Sequence, residues 1–393
     1  MAEPGSTSRK LAAAGIIAAG ACLVVAILFF GVDDKSATGR DFIQYWALEQ
    51  QLAHHANPYD ADALFRIERS VGMDKPGVLM SLSPPVAFAY ALPLGWVGAK
   101  AGLVLWMLLL LACMAISVWI LWLLHGRPES RWHVIALGFP PALWCLIAGQ
   151  LGLFFLLDVV LFLYWIHRQP CLAGAALVLC ALKPHLFLPC VVVLLLWSAT
   201  RRDFRVIAGF AAALAVSCGL TLAIDPHVWR EYAQMLHSSR IADQFIPTLS
   251  MALRFGLGSG LDRSARWLEL VPEACACIWA AWYFLTRRDR WDWNRHGLLV
   301  LLVSAACTPY SWYSDQAMLF PAVLVGLYAA EKSAAALALF VAIAAAGLVG
   351  FVAQIPMTSV YYIWTAPAWL LWYLWATRKT GAEAAQGRAI AAG

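Results

Sequence analysis

Long apolar runs separated by short polar segments make up most of the chain. The runs lie near residues 11–32, 82–98, 101–124, 132–147, 151–167, 171–198, 204–224, 266–286, 297–308, 316–330, 333–352 and 358–376. Backbone N–H and C=O groups in lipid must be satisfied within their own segment, so each run predicts a helix. The pattern therefore predicts an all-α polytopic membrane protein.

Two long interruptions, 33–81 and about 225–265, contain proline, aspartate, histidine and aromatic residues. They predict extracytoplasmic loops that carry short surface helices. The apolar run 11–32 is long enough to span a bilayer, so we interpret it as a retained first helix rather than a signal peptide. We predict one membrane domain over residues 1–380 and a disordered tail over 381–393.

A count of about twelve spans follows if two runs depart from simple crossing. Run 82–98 would enter the membrane without crossing it, and run 171–198 would break at Lys183-Pro184-His185 into two short helices. The basic clusters then all lie in the cytoplasm, as the positive-inside rule requires. They are 127–131, 167–168, 201–205, 287–295, Lys332 and 378–379. The alternative, with 82–98 crossing, places Arg127 and Arg131 outside. Under the first count the outer side carries Asp41, Gln150, Lys183, residues 225–250 and Asp315.

The composition agrees with a membrane protein, because 62% of residues are hydrophobic and only 13% are charged. Mean hydropathy is +0.70. The net charge of +5 comes from short arginine clusters between apolar runs, which argues for membrane anchoring and against nucleic-acid binding. The ten cysteines lie almost entirely inside apolar runs, where they act as small hydrophobic residues. We predict no disulfide framework and no metal site.

Asp41 stands in the segment GRDFIQYW, directly after the first apolar run and its short polar linker. One interpretation makes it the cap of a surface helix over 42–55, with Trp46 facing the lipid. The other makes it a general base that accepts a proton from a substrate hydroxyl. A similar choice applies to Asp60-Ala61-Asp62, where we favour a helix cap by Asp60 over a metal-binding DxD motif.

Lys183-Pro184-His185 interrupts an otherwise apolar run. A lysine at membrane depth costs roughly 3 kcal/mol and usually marks function. Proline breaks the helix, and the N-terminus of the next helix attracts anions. Lys183 and His185 therefore predict a phosphate-binding site, with a snorkelling lysine as the alternative.

Three further polar residues lie within or between the apolar runs. Gln150 lies in the Gly149-Gln150 segment between two apolar runs. It either belongs to a tight turn or donates to a sugar hydroxyl or a phosphate oxygen. Asp315 lies at the mouth of a span, where it acts on substrate or caps the helix. Asp158 is predicted to be a buried, hydrogen-bonded residue.

Together these residues favour one chemistry. A lipid-phosphate-linked sugar supplies an activated donor where no nucleotide-sugar is available. Asp41 would remove the proton of the acceptor hydroxyl, and Lys183 would stabilise the departing phosphate. Direct attack assisted by a single base implies inversion at the anomeric carbon.

Several short motifs, in order along the chain, resemble the bacterial glycosyltransferase 87 family of the GT-C membrane class. The matching stretches are Asp41–Trp46, Asn57-Pro58-Tyr59-Asp60, Ser83-Pro84-Pro85, Gly149-Gln150, Leu182-Lys183-Pro184-His185 and Thr308-Pro309-Tyr310 through Asp315. In two of them the sequence departs from the usual pattern, since Ser83 replaces a tyrosine and Thr308 replaces a serine.

The resemblance implies a GT-C helical bundle in the bacterial plasma (inner) membrane, with its active site facing the periplasm. It implies an essential aspartate at Asp41, a helix-breaking Lys-Pro at Lys183 and an acid at Asp315, and we add Arg40, Tyr45, Gln150 and Tyr313 as substrate-binding residues. The expected donor is a polyprenyl-phosphate sugar, with mannose as the sugar, and the acceptor is a glycolipid or glycan. No cofactor is implied, and membrane lipids are the remaining partners.

Two other classes fit part of the pattern. A lipid or glycan flippase would also carry broken helices and intramembrane charges, but the sequence shows no internal repeat. An oligosaccharide ligase or polymerase would use a lipid-diphosphate donor.

Overall fold

The structure is a computed structural model that describes residues 34–129, 132–238, 245–258 and 263–390. It is 77% helical, and no strand occurs among the described residues. The prediction of an all-α protein is confirmed. The predicted first membrane helix, 11–32, lies outside the described residues.

The described residues form a series of α-helices. Their bounds are α1 Asp34–Thr38, α2 Phe42–Ala53, α3 Ala61–Ser70, α4 Phe88–Ala91, α5 Ala99–Leu124, α6 Pro140–Ala148, α7 Gly152–Trp165, α8 Pro170–Ala175, α9 Leu188–Arg201, α10 Arg205–Ile224, α11 Val228–Ser238, α12 Leu249–Leu257, α13 Val271–Leu285, α14 Leu298–Cys307, α15 Phe320–Ala330, α16 Ala334–Val352 and α17 Thr365–Ile390. The last helix thus continues into the segment 381–393 that the sequence predicts as a tail.

Short 3₁₀ segments join many of these helices. They are Leu92–Trp96, Trp132–Gly138, Val178–Leu182, Pro184–Phe187, Arg263–Leu270, Arg288–Arg290, Tyr313–Leu319 and Val360–Tyr362, and Trp293–Gly297 forms a π-helical turn. Prolines stand in the first turn of α6, α8, α9, α13 and α15. Proline lacks the N–H that a helix interior needs, so these positions begin new helices rather than continue old ones.

Because of these breaks, the predicted count of twelve spans is not confirmed. Five helical segments among the described residues are long and apolar enough to cross a membrane. They are Ala99–Leu124, Pro184–Arg201, Arg205–Ile224, Ser264–Leu285 and Ala334–Val352. Runs 132–147, 151–167 and 316–330 contain only shorter helices, and run 82–98 contains α4 and one 3₁₀ turn.

The chain divides into two compact units. The first contains the described residues up to Ser81 together with Tyr90–Leu111. Its core forms where α2 buries Phe42, Ile43 and Trp46. The Trp46 indole N–H donates to the Val97 carbonyl oxygen at 2.8 Å, and the side chain is buried. The expectation that Trp46 faces lipid is therefore wrong.

The second unit contains Leu82–Ala89 and the chain from Ala112 onward. Aromatic rings fill part of its core, with Phe139 5.4 Å from Trp369 and 5.7 Å from Phe320 between ring centroids. The Trp372 indole N–H donates to the Ala336 carbonyl oxygen at 2.9 Å. Indole N–H groups that find backbone acceptors allow large rings to be buried without an unsatisfied donor.

Candidate functional site

The predicted helix break at Lys183 is present in the second unit. A 3₁₀ segment ends at Leu182, and a second one begins at Pro184. Lys183 itself has φ −140° and ψ 69°, outside the helical region. Proline disfavours helical geometry in the residue before it, which explains why the chain turns at this point.

The Lys183 ammonium forms a buried ion pair with Asp315, which lies 132 residues further along the chain. Its Nζ atom is 2.8 Å from Oδ1 and 2.9 Å from Oδ2 of Asp315. Only 7% of Lys183 and 0% of Asp315 is exposed. Two predicted site residues therefore meet, and each neutralises a charge that burial would otherwise make costly.

Asp315 is also fixed by its own segment. The backbone N–H of Trp312 donates to Asp315 Oδ2 at 2.9 Å, and the Asp315 N–H donates to the Trp312 carbonyl oxygen at 3.0 Å. The carboxylate thus caps the 3₁₀ helix Tyr313–Leu319 and pairs with Lys183 at the same time. The cap that the sequence offers as one alternative for Asp315 is therefore present, together with a pairing to Lys183 that the sequence does not predict.

Aromatic side chains surround the pair on one side. Lys183 Nζ lies 5.6 Å from the centroid of the Tyr310 ring, and the His185 ring meets the same ring edge-on at 5.6 Å. The Trp312 indole N–H donates to the Tyr310 hydroxyl at 2.9 Å. Tyr310 and Trp312 were not assigned roles from sequence, although an intramembrane lysine with an aromatic-rich motif predicts a cation–π contact.

Hydroxyl groups attach the break to the end of α14. Ser304 Oγ donates to the Leu186 carbonyl oxygen at 2.7 Å, and Thr308 Oγ1 donates to that of His185 at 3.4 Å. From the second predicted loop, Ser250 Oγ donates to the Cys307 carbonyl oxygen at 2.9 Å. Cys307 ends α14, and the last carbonyl groups of a helix have no partner within it, so the Ser250 hydroxyl satisfies one of them.

The turn that contains Gln150 packs against the Asp315 segment. Gly152 approaches so closely that a Cβ atom there would lie 3.2 Å from Asp315 Cα and would overlap the Ser314 carbonyl oxygen. Gln150 is buried, and its carbonyl oxygen accepts from Cys145 Sγ at 3.1 Å. Gln150, Lys183, His185 and Asp315 are therefore brought into one region.

An apolar cavity of about 450 Å³ lies beside the break. Ala181 and Pro184, which nearly adjoin Lys183 in sequence, line it together with Phe187. The remaining wall comes mainly from aliphatic side chains such as Leu188 and Ile207. A cavity of this size and character suits a hydrocarbon chain.

The Ser-Pro-Pro segment lies in the same unit. Ser217 Oγ of α10 donates to the Val86 carbonyl oxygen, and the Tyr232 hydroxyl of α11 donates to that of Leu82 at 3.2 Å. The segment is therefore attached to α10 and to the second predicted loop.

The other predicted site residues, Arg40, Asp41 and Tyr45, belong to the first unit. Asp41 stands at the N-cap position of α2 with φ −68° and ψ −15°, and its side chain makes no capping hydrogen bond. Arg40 is half-buried, and burial lowers the pKa of its guanidinium. Tyr45 stacks on Trp106 at 5.4 Å between ring centroids. The capping interpretation of Asp41 thus lacks its hydrogen bond.

Other polar residues have structural roles. Asp60 Oδ1 accepts from the N–H groups of Asp62 and Ala63 at 3.0 and 3.1 Å, which confirms that Asp60 caps α3. Asp158 is buried and accepts from the Cys180 N–H at 3.1 Å, as predicted. Tyr313 is buried with its ring 5.2 Å from Tyr362. Among the described residues, no group of three or more histidine, cysteine, aspartate or glutamate residues could hold a metal ion.

The sequence model of glycosyltransferase family 87 matches residues 82–309, more than half of the 393-residue chain. The chain belongs to glycosyltransferase family 87. It is therefore a glycosyltransferase, and its apolar helices agree with the membrane location of this family. The matched segment includes Lys183 and Gln150, whereas Asp41 and Asp315 lie outside it. No curated protein and no solved structure matches the chain.

Proposed function

We propose that this family 87 enzyme transfers mannose from a polyprenyl-phosphate donor to a hydroxyl group of a glycolipid or glycan. The apolar cavity beside the buried Lys183 carries this proposal. A lipid-linked sugar phosphate is amphiphilic, so its site needs a hydrocarbon-binding wall next to a cation. The second unit contains both features within a few residues of Pro184.

In the proposed reaction, the Asp41 carboxylate accepts the proton of the acceptor hydroxyl. The resulting oxygen attacks the anomeric carbon as the bond from that carbon to the phosphate oxygen breaks. Polyprenyl phosphate leaves with the electron pair of the broken bond. Attack opposite to the leaving group inverts the configuration at the anomeric carbon.

Lys183 and His185 bind the donor phosphate in this proposal. An ammonium group carries three N–H donors, so Lys183 can contact Asp315 and still donate to a phosphate oxygen. Asp315 holds the ammonium in one orientation, and a donor fixed before the reaction stabilises the leaving group without reorganisation. Asp315 therefore acts on the substrate through Lys183.

The remaining predicted substrate residues have narrower roles. Arg40 and Tyr45 contact the substrate close to Asp41, and Gln150 donates to a sugar hydroxyl or a phosphate oxygen. Tyr313 affects substrate binding indirectly, because it belongs to the same 3₁₀ helix as Asp315 and helps to position it. The site faces the periplasmic side of a bacterial plasma membrane, where the lipid carrier supplies the activated sugar.

A donor-specificity assay tests this proposal. The purified chain, reconstituted in vesicles with a membrane lipid extract as acceptor, receives radiolabelled polyprenyl-phosphate mannose, a polyprenyl-diphosphate sugar or a nucleotide-linked mannose. We expect labelled product and released polyprenyl phosphate only from the first donor. Product from the diphosphate would indicate a ligase or polymerase. Movement of intact lipid across the vesicle without release of polyprenyl phosphate would indicate a flippase, and either result contradicts the proposal.

A further inference from the structure

A second cavity, of about 480 Å³, lies in the second unit away from Lys183. Arg295, Tyr283 and Tyr373 contribute polar groups to its wall, and Leu299 and Val325 contribute apolar surface. A single charged group beside hydrocarbon is typical of a site for an amphiphilic ligand.

This cavity and the candidate active site lie at opposite ends of two helices. Leu299 is at the start of α14, whereas Thr308, just after its end, donates to His185. Asp315 precedes α15, whereas Tyr328 lies near its end and lines the cavity. A ten-residue helix is about 15 Å long, so the two regions lie at different depths. The cavity thus cannot be part of the site around Lys183.

Positive charge is concentrated at the cavity. Arg295 is exposed, and exposed arginines also occupy positions 287, 288 and 290. Two exposed aspartates, Asp289 and Asp292, lie in the same segment, and Arg288 pairs with Asp289 at 3.6 Å, so the segment keeps a net positive charge. The Arg287 guanidinium stacks on the ring of Tyr283 at 4.3 Å, which fixes one further cation beside the wall. Within the described part of the chain, no carboxylate lies within salt-bridge distance of the Arg295 guanidinium. An anionic group can therefore reach it.

The apolar part of the wall continues onto the outer surface of the helices. Leu374 lines the cavity and is 45% exposed, and Leu371, on the same helix, is 66% exposed. Trp282 and Leu285 of α13 are also exposed. In a membrane protein such side chains contact acyl chains, so a lipid can enter the cavity from the bilayer.

We propose that this cavity binds an anionic phospholipid, with its phosphate at Arg295 and the upper part of an acyl chain along Leu299, Val325 and Leu374. Basic pockets between membrane helices on the cytoplasmic side bind the head groups of acidic lipids. The positive-inside prediction assigns the cluster 287–295 to that side. The site is separate from the proposed glycosyl transfer and does not depend on it.

Native mass spectrometry of the full chain in detergent tests this proposal. The protein is titrated with phosphatidylglycerol, with phosphatidylcholine of the same acyl chains, and with inorganic phosphate. We expect one phosphatidylglycerol to bind about tenfold more tightly than phosphatidylcholine. Arg295→Gln should remove this preference, while Arg290→Gln, an equal loss of charge outside the wall, should change it by less than about twofold.

Ala329→Phe fills the cavity without a change of charge, and Ala329 is one of its lining residues. We expect this variant to lower phosphatidylglycerol binding at least as much as Arg295→Gln does, with an unaltered unfolding temperature. Equal effects of Arg295→Gln and Arg290→Gln would overturn the proposal, because they would indicate attraction to the whole basic surface. Displacement of the lipid by inorganic phosphate, together with no effect of Ala329→Phe, would indicate a free-anion site and would also overturn it.

Discussion

At the scale of single residues, the buried ion pair of Lys183 and Asp315 is the main feature of the candidate site. Lys183 and Asp315 are each withdrawn from water, and each supplies the other's counter-charge. The two partners lie far apart in sequence, and no local pattern links them. The importance of each residue was predictable from its position in an apolar run, but their pairing was not, because it arises only from the packing of the two segments.

Removal of one partner should destabilise the protein more than removal of both. Lys183→Met leaves the Asp315 carboxylate buried without its cation, and we expect a loss of about 3–5 kcal/mol in the free energy of unfolding. The double variant with Asp315→Asn should recover most of that loss but not the transfer activity. Chemical unfolding in detergent measures the free energies of unfolding, and the transfer assay measures the activity.

The exposed pair Arg288–Asp289 provides the control, because its atoms are 3.6 Å apart and both side chains are exposed. Arg288→Gln should cost about 1 kcal/mol or less. If the double variant at 183 and 315 shows the simple sum of the two single losses, the buried pair does not have the role described.

Glu68 should make the stability of the first unit depend on pH. It is fully buried, both its carboxyl oxygens accept from the Leu79 N–H at 3.2–3.3 Å, and burial raises its pKa from 4.5 to about 7. Between pH 4.5 and 7 the folded state binds a proton that the unfolded state has released. Stability should therefore fall as the pH rises through this interval, by roughly 1–3 kcal/mol.

Glu68→Gln should reduce that fall, whereas Asp74→Asn, at an exposed acid of the same loop, should leave it unchanged. Unfolding temperatures measured from pH 5 to pH 8 test this. Parallel curves for the wild type and Glu68→Gln would show that Glu68 does not titrate in this range.

At the scale of secondary-structure elements, breaks within apolar runs set the lengths of the helices. The break at Lys183 was predictable, because a lysine and a proline interrupt an apolar run. The shortness of α6, α7 and α15 was not, because hydrophobicity alone does not distinguish one long helix from two short ones joined by a 3₁₀ turn. The predicted count of twelve spans is not confirmed for this reason. The all-α class follows from a simpler rule, that backbone groups in lipid need hydrogen-bond partners within their own segment.

The close approach of Gly152 to the Asp315 segment gives a prediction at this scale. In Gly152→Ala the new methyl group meets backbone atoms of Ser314, which cannot move as a flexible side chain would. The segment must shift, so we expect a loss of about 1–3 kcal/mol in stability and reduced transfer activity.

Gly219→Ala is the matched control, since a Cβ atom there meets nothing within 4 Å. It should be neutral or slightly stabilising, because alanine favours the helix more than glycine does. Equal behaviour of the two variants in thermal unfolding and in the transfer assay would contradict the proposed contact.

At the scale of the whole molecule the chain divides into two compact units, with Asp41 in the first and Lys183 in the second. Membership in glycosyltransferase family 87 rests on residues 82–309, which include Lys183 but not Asp41. The order of short motifs along the sequence was sufficient to predict the family. The role of Asp41 as the base lies outside the matched range and belongs to the proposed reaction.

The most direct test of that proposal is the rate of transfer from radiolabelled polyprenyl-phosphate mannose by Asp41→Asn. Asp62→Asn, at an exposed acid of the same unit, serves as the control, and donor binding is measured separately for each variant. We predict that Asp41→Asn loses at least about a hundredfold in turnover while donor binding stays within about threefold, as expected for a lost general base. Asp62→Asn should retain the wild-type rate. Turnover by Asp41→Asn close to that of the wild type would contradict the account.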